Sequence, residues 1–132
     1  RRAAVVAEQF NGYEAADGLN VNGELTLGEN IADLGGVRIA YRAFLKALAE
    51  SGAEDEIDGF TPHQRFFLSY ATAWRQNATD EFIRFLVQSD VHSPHEFRCN
   101  GPLGNLAAFS DAFDLPAESP IMRAPGIRAE IW

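Results

Sequence analysis

Two carboxylates four positions apart, Glu29 and Asp33, are the first residues in this sequence whose types and spacing could do chemistry. Thr26 and Glu29 have the spacing of a capping box, which predicts that a helix begins at Leu27 and carries both acids on one face. Like charges so placed cost about 0.2–0.5 kcal/mol unless a cation lies over them. One carboxylate could bind a metal ion while the other orients a neighbouring ligand. The alternative is a solvated pair at a helix N-terminus, where the helix dipole favours anions.

A second group of residues with catalytic potential is Asp90, His92 and Arg98. Ser93 is predicted to cap a short helix with Pro94 in its first position, which leaves Asp90 and His92 on the preceding loop. Alternate residues of an extended segment point the same way, so Asp90 can bond one ring nitrogen and fix the tautomer. The other ring N–H could donate to a developing oxyanion, and Arg98 offers a planar fork to a carbonyl or carboxylate. The alternatives are a loop histidine satisfied by its neighbour and a surface ion pair.

The carboxylate pair belongs to a long predicted helix that would run from Leu27 to about Glu50. Apolar residues recur three or four positions apart along it, and Gly52 follows as the glycine that commonly ends a helix. Gly35 and Gly36 interrupt the pattern and indicate either close approach of another backbone or a break in the helix. The apolar face consists of Ile31, Leu34, Val37, Tyr41, Phe44, Leu45 and Leu48.

Shorter helices are predicted on both sides of the central one, each beside a turn or a capping residue. The set comprises Ala3–Phe10, the segments after Thr61, Thr79 and Ser93, and a last helix opened by Gly101-Pro102. Their inward residues include Phe66, Phe67, Tyr70, Ala71 and Trp74, then Phe82, Ile83, Phe85 and Leu86, then Leu103, Leu106, Phe109 and Phe113. Asn22-Gly23 predicts a tight hairpin or an extended strip over residues 21–25. We expect the Pro-rich tail beyond Asp114 to pack down through Trp132.

The composition bounds the kind of protein. At 132 residues the chain has room for one domain, and its 46% hydrophobic content is that of a soluble globular protein. The net charge of −8 argues against nucleic acid or a membrane surface as a partner. No apolar run approaches the roughly 18 residues of a membrane span. The single cysteine, Cys99, excludes an internal disulfide framework and predicts a small buried hydrophobe.

Three stretches together resemble one known family. They are V-N-G-x-L-T-L-G-E-N-I-A-D-x-G-G at residues 21–36, D-V-H-S-P-x-x-F-R at residues 90–98, and the terminal Trp132. Over nearly its whole length the chain is similar to the C-terminal part of the neprilysin and endothelin-converting-enzyme family of zinc metallopeptidases, which includes the bacterial oligopeptidase O. The resemblance implies a mainly α fold, the C-terminal helical part of a thermolysin-like (gluzincin) catalytic domain. Residues 1–132 would then be a single partial domain.

The resemblance also implies roles for single residues. Glu29 would be the third protein ligand of a catalytic zinc, and Asp33 would hydrogen-bond one of the two zinc-binding histidines. His92 would stabilise the tetrahedral intermediate with Asp90 orienting it, and Arg98 would bind a substrate backbone carbonyl on the primed side. A zinc held by two histidines and one glutamate keeps a fourth position for water, which would attack the peptide carbonyl.

The sequence departs from the family in one large respect. The family's H-E-x-x-H helix, which supplies both histidine ligands and the general base, lies upstream, and none of the histidines here belongs to such a motif. One glutamate cannot hold zinc tightly, so we expect this chain alone to be inactive and to bind zinc weakly or not at all. The chain also lacks an initiator Met, which predicts that its natural N-terminus lies upstream.

Two functions from different classes stay open at this point. The first is the C-terminal part of a zinc metalloendopeptidase, whose partners would be oligopeptide substrates and the upstream part of the same polypeptide. The second is a non-catalytic α-helical interaction domain derived from a peptidase. An apolar surface left beside Glu29 would favour self-association of the chain. The tail lacks the cysteine of animal members, which indicates a bacterial relative, and the residues do not distinguish a periplasmic from a cytoplasmic location.

Overall fold

The structure is a computed structural model that describes residues 2–116 and 118–131. Its elements in chain order are α1 (Arg2–Asn11), β1 (Glu14–Ala16), β2 (Leu19–Asn20), α2 (Leu27–Ser51), α3 (Pro62–Ala73), α4 (Asp80–Ser89), α5 (His95–Leu103), α6 (Ala107–Ala112) and a 3₁₀ turn (Pro125–Ile127). The described part of the chain is mainly helical, as the sequence predicted, and none of its helices is long and apolar enough to cross a membrane. Trp132, which we expected to pack the tail down, lies outside the described residues.

Helix α2 is the frame on which the other elements pack. Its N-terminal half is buried through Leu34 and Val37, and the helix passes through the two glycines at 35–36 without a break. Gly52 ends it in the left-handed conformation with φ 63°, and the N–H of this glycine donates to the Leu48 carbonyl. The predicted bounds of the central helix are therefore confirmed to within about a residue.

The C-terminal half of α2 is more exposed than the sequence predicted. Tyr41 and Phe44 pack their rings on Phe66 and Phe67 of α3. Leu45, which we expected on the apolar face, is 39% exposed, so that part of the prediction is wrong. The two aromatic rings fill the contact with α3, and Leu45 lies one position further along the helix, about 100° away from Phe44.

The core lies where α1, α2, α3 and α5 meet. Its buried members are Val6, Phe10, Val21, Leu34, Val37, Phe67, Phe97, Cys99, Leu103, Leu106 and Ala129. Desolvation raises the pKa of the Cys99 thiol to about 11, so this side chain packs as a neutral apolar group, as predicted. The tail is fastened to this core through Ala129, whose N–H donates to the Asn105 side chain and whose carbonyl accepts from Arg38.

A short hairpin forms before the segment for which the sequence predicted one. Strands β1 and β2 are antiparallel and turn at Asp17-Gly18, where the glycine adopts φ 69°. Neither the tight hairpin nor the extended strip predicted for residues 21–25 forms. Asn22 instead accepts from the N–H groups of Leu25 and Thr26, through its side chain and its carbonyl respectively. These two bonds fold the segment into a turn that leads directly into α2.

Two predicted N-caps, Thr26 and Ser93, do not cap their helices. Thr26 has φ −91° and ψ 3° and makes no side-chain cap bond, so the predicted capping box with Glu29 is wrong. Helix α5 begins after Pro94, not after Ser93, and also has no side-chain cap. Both hydroxyls bind the buried amide of Asn30 instead, Thr26 at 2.9 Å and Ser93 at 2.8 Å. The two hydroxyls bind the amide and do not cap their helices, because a buried polar group without a hydrogen bond costs about 1–3 kcal/mol.

Helices α3 and α4 begin as predicted. Thr61 and Gln64 form the capping box of α3, and the Thr79 hydroxyl accepts an N–H from the first turn of α4. The predicted inward face of α4 is wrong at Phe82 and Phe85, which are 45% and 62% exposed. Helix α4 packs on the β1–β2 hairpin, and two short strands are too narrow to cover its broad apolar stripe.

The dipeptide Gly101-Pro102 lies in the last turn of α5 and does not open a new helix. Pro102 has no N–H to donate to the carbonyl of Arg98, four residues earlier. The Tyr70 hydroxyl of α3 donates to that carbonyl at 3.0 Å, which satisfies the acceptor that the proline leaves free. Burial raises the pKa of Tyr70 and keeps the phenol in its donating form. Helix α5 therefore continues through the proline, and α6 begins only at Ala107.

Two helical glycines provide a matched pair for a stability test. A Cβ at Gly101 would lie 2.6 Å from the Phe10 ring, so we expect Gly101→Ala to lower the free energy of unfolding by about 1–3 kcal/mol. A Cβ at Gly36 meets nothing within 4 Å, so Gly36→Ala should raise it by up to about 1 kcal/mol. Urea denaturation measures both changes, and equal shifts in the two variants would contradict the packing of Phe10 on α5.

Candidate active site

The site forms where the first turns of α2 meet the start of α5 and the loop before it. Helix α2 carries Glu29 and Asp33 one turn apart, the loop carries Asp90 and His92, and α5 carries Arg98. Every one of these side chains contacts another member of the set. The structure thus brings together all the residues that the sequence singled out for chemistry.

His92 lies between two carboxylates. Its Nδ1 is 2.7 Å from Asp90 Oδ1, which also accepts the backbone N–H of His92 at 2.9 Å. These bonds, the backbone one foremost, hold the pKa of Asp90 below its ordinary value. On the other side of the ring, Nε2 is 3.2 Å from Glu29 Oε2. The imidazolium form can donate to both acids, and the bonds to Asp90 fix the orientation of the ring.

Arg98 and Asp33 form a bidentate ion pair. Arg98 Nε donates to Asp33 Oδ2 at 2.7 Å, and Nη2 donates to Oδ1 at 2.9 Å. The two side chains are only 17% and 10% exposed, so this is not the surface ion pair considered from the sequence. The hydrogen bonds to Asp33 are the main reason that the pKa of Arg98 is raised. The guanidinium carbon also lies 4.4 Å from the centre of the Trp74 ring, a cation–π contact that fixes the plane of the fork.

Glu29 is the most open acid of the cluster, with its side chain 40% exposed. Its Oε2 lies 3.2 Å from His92 Nε2 and 3.9 Å from Arg98 Nη2. These two groups therefore lie over the like-charged pair Glu29 and Asp33. Within residues 2–116 and 118–131, no group of three or more His, Cys, Asp or Glu side chains could hold a metal ion. The cluster thus offers one accessible carboxylate, and a metal bound there needs further ligands from outside these residues.

A pocket of about 230 Å³ opens beside the cluster. Its lining includes Asp90, His92 and Arg98 together with Phe82 and Leu86 of α4. The exposed ring of Phe82 is therefore part of the wall of the site. A pocket that joins polar groups to an apolar wall suits a peptide, whose backbone carbonyls need donors and whose side chains need apolar surface.

Three residues that shape the site were missed as site residues. Trp74 was expected only in the core, Ser93 only as a helix cap, and Asn30 was assigned no contact of its own. The one available signal was Asn30, an amide four positions before Leu34 and therefore on the predicted apolar side of the helix. A buried amide requires partners, and the sequence could not say which ones.

The family model described as Peptidase family M13 matches residues 1–128. The chain is 47% identical over 122 residues to membrane metallo-endopeptidase-like 1 of Mus musculus, a match that covers 91% of this chain and 16% of that protein. It is 40% identical over 134 residues to endothelin-converting enzyme 1 of Bos taurus, covering 100% of this chain and 17% of that protein.

Solved structures of two bacterial proteins share the fold. The zinc metalloprotease Zmp1 of Mycobacterium tuberculosis, in complex with an inhibitor, superposes with a TM-score of 0.89 at 37% identity, over 99% of this chain and 21% of that one. PepO from Lactobacillus rhamnosis HN001 gives a TM-score of 0.79 at 32% identity, over 99% of this chain and 19% of that one.

The fold is therefore that of a mainly helical part of a zinc metallopeptidase. The chain belongs to peptidase family M13. It spans 16% to 17% of the length of these curated relatives. The family resemblance and the mainly α fold class predicted from the sequence are confirmed. The roles of the five site residues stay predictions, because a family match assigns no role to a single side chain.

Asp90 should make stability depend on pH. Its pKa is lowered by folding, so its ionised form stabilises the fold above the ordinary Asp pKa of about 3.9, and this contribution is lost as the pH falls through the folded value. We expect Asp90→Asn to lower the urea midpoint at neutral pH and to have a vanishing effect in acid. Urea denaturation over a pH series checks this. A difference between the two proteins that persists unchanged into strong acid would contradict it.

Proposed function

We propose that this chain is part of a zinc metalloendopeptidase that hydrolyses oligopeptides. The observation that carries the proposal is the convergence of His92 and Arg98 on Glu29 Oε2, at 3.2 Å and 3.9 Å. It combines an open carboxylate for a metal with donors for an oxyanion and for a carbonyl, which are the groups that peptide hydrolysis needs. Relatives described as a metallo-endopeptidase and a zinc metalloprotease support the same reaction.

Glu29 fits the part of a zinc ligand because its carboxylate is accessible and its helix is buried in the core through Leu34 and Val37. Two histidines from outside the chain would complete the ligand set. The bound zinc would supply an activated water and polarise the peptide carbonyl. Asp33 would hydrogen-bond one of those histidines. Both of its oxygens already accept from Arg98, and each keeps a second lone pair for such a bond.

His92 would stabilise the charge that develops on the carbonyl oxygen. Its Nδ1 is committed to Asp90, so Nε2 is the atom that can donate to an oxyanion. A donor fixed before the reaction stabilises the transition state without reorganisation at that moment. Asp90 would act only through the ring, because its oxygen bonds both Nδ1 and the backbone N–H of His92.

Arg98 would hold the substrate backbone. A guanidinium has five N–H donors, and the bonds to Asp33 use one on Nε and one on Nη2. The remaining donors can serve a substrate carbonyl at the mouth of the pocket. Asp33 and Trp74 fix the plane of the fork, so the carbonyl would bind to a donor that is already in place.

A bacterial origin belongs to the same proposal. It rests on the absent tail cysteine, while the relatives named above include animal proteins as well as bacterial ones. Association of this chain with the rest of its polypeptide, or with a second copy, is supported by exposed apolar side chains near the site, Leu25 at 41% and Val91 at 47%.

The chain taken alone should bind zinc poorly. We expect purified residues 1–132 to show no peptidase activity and to hold no stoichiometric zinc after dialysis, because a single glutamate is one ligand of three. Metal analysis by atomic emission and a peptide-cleavage assay measure the two properties. One tightly held zinc per chain would contradict the proposal that this chain supplies only one of the three protein ligands.

In the longer enzyme, substitutions at the site should separate metal binding from catalysis. Glu29→Gln should lose zinc and activity together. His92→Ala should keep zinc and lose about 10²–10³-fold in turnover, since it removes a donor to transition-state charge. Arg98→Ala should raise KM more than it lowers kcat, because the substrate carbonyl is bound in the ground state as well. Steady-state kinetics with zinc analysis measure each effect.

Stability must be recorded for the same variants. Arg98→Ala leaves Asp33 buried without its partner, which typically costs about 3–5 kcal/mol, so its kinetics are read only at temperatures where it remains folded. Loss of zinc in His92→Ala with retention in Glu29→Gln would reverse the two assignments and overturn the proposed roles.

A further inference from the structure

The buried amide of Asn30 lies between the first turns of α2 and the loop that carries His92. It has no part in the function proposed above. Asn30 directly follows Glu29 in α2 and is 1% exposed. Ser93 directly follows His92 in the loop before α5 and is 2% exposed. The Ser93 hydroxyl donates to Asn30 Oδ1 at 2.8 Å across a sequence separation of 63 residues. One buried hydrogen bond therefore joins the chain neighbours of Glu29 and His92.

The bond from Ser93 to Asn30 is the first of three hydrogen bonds that form a continuous series. Asn30 Nδ2 donates to the Thr26 hydroxyl at 2.9 Å, and that hydroxyl donates to the Asn22 carbonyl at 2.9 Å. All donors in the series point the same way, from Ser93 towards Asn22. Buried networks whose members are satisfied in this way rigidify the segments that they join and specify one arrangement of them.

The loop that carries His92 depends on this network for its position. Helix α5 has no side-chain cap, because the Ser93 hydroxyl is bound to Asn30 and the cap position is occupied by Pro94. The start of α5 is thus held by a hydrogen bond to α2 and not by a side-chain cap of its own. Whatever fixes Ser93 also fixes His92, which is the adjacent residue.

The other contacts of the cluster cannot replace this bond. The bonds between Asp90 and His92 join residues two positions apart, so they orient the ring within the loop but leave the loop free to shift on α2. The Arg98–Asp33 pair fastens α5 to α2 more than one helical turn beyond the loop. The contact between His92 and Glu29 itself joins side chains that are 43% and 40% exposed, and an exposed ion pair restrains a loop only weakly. The buried bond between Ser93 and Asn30 therefore restrains the loop most.

We propose that Asn30 and Ser93 are positioning residues for the reaction assigned to this site, holding His92 Nε2 in register with the Glu29 carboxylate, 3.2 Å away. The inference rests on the proposed function, in which His92 stabilises transition-state charge. Neither residue would touch the substrate or the metal. Their loss should lower kcat through displacement of His92, while KM and zinc content, which depend on Arg98 and Glu29, stay close to those of the wild type.

The test uses the longer zinc-loaded enzyme and compares Ser93→Ala, Asn30→Ala and the double variant. We expect kcat to fall about 10- to 100-fold in each, as a displacement of about 1 Å can cost that much. The fall in kcat of the double variant should be no larger than that of the more impaired single variant, because all three variants break the same bond. Ser93→Thr, which keeps the hydroxyl, should recover most of the lost turnover.

Asn105→Ala is the matched control. Asn105 is also a buried amide, 4% exposed, and it bonds Gln9, the Gly101 carbonyl and the Ala129 N–H, none of which belongs to the site. It should lower the melting temperature as much as the Asn30 and Ser93 variants do and leave kcat unchanged. If kcat falls no further in the Asn30 and Ser93 variants than in Asn105→Ala, these two residues only stabilise the fold and the proposal is overturned.

A crystal structure of Ser93→Ala supplies a readout that does not depend on activity. The separation of His92 Nε2 from Glu29 Oε2 should exceed that of the wild type, and an unchanged separation overturns the proposal. This variant removes a single hydroxyl, so it keeps the test decisive should Asn30→Ala fail to fold. A wild-type enzyme without zinc or peptidase activity would instead refute the proposed function, and the separation measured in Ser93→Ala would still decide the positioning role.

Discussion

The ion pair between Arg98 and Asp33 is the contact on which the rest of the site depends. It fastens α5 to α2 through two charges that are largely removed from solvent, and removing either side chain would leave the other charge unpaired in a poorly solvated place. Helix α3 closes the arrangement from a third side, with the Trp74 ring on the guanidinium and the Tyr70 hydroxyl on the Arg98 carbonyl. Three helices therefore meet on one arginine, and this contact fixes the helices between which the loop with His92 is placed.

The charges of the site are balanced within the cluster. Glu29, Asp33 and Asp90 bring three carboxylates into a small volume, which would destabilise the fold if they were alone. The Arg98 guanidinium lies beside Asp33 and Glu29. The His92 ring contacts Asp90 and Glu29. The acids are thus held close together by partners that would also be donors to a substrate. The stability of the fold and the chemistry proposed for the site would therefore depend on the same contacts.

The sequence was informative where a signal is local. The long helix, its glycine end and the capping box at Thr61 depend on residues within a few positions of one another, and all were confirmed. Asp90 and His92 were expected together because they are two residues apart. Thr26 and Ser93 also carried local cap signals, yet both hydroxyls serve Asn30, and the Ser93 contact spans 63 residues. A contact of that separation leaves no local pattern. The exposed rings on α4 and the exposed Leu45 have the same explanation, since burial depends on what packs opposite a helix face.

Glu29 and Asp33 show how one turn of helix can give similar acids different functions. Both lie on the same side of α2, since four residues return the helix to within about 40° of its starting direction. Asp33 is the deeper of the two, is 10% exposed, and accepts two hydrogen bonds from Arg98. Glu29, one turn nearer the N-terminal end of the helix, is 40% exposed and lies beside His92 and Arg98. Asn30 lies about 100° around the helix from Glu29, which turns its amide towards the buried Ser93 and away from solvent. The spacing of these three residues along a single helix therefore directs Asp33 to Arg98, Asn30 to the loop that carries His92, and Glu29 to the open side of the cluster.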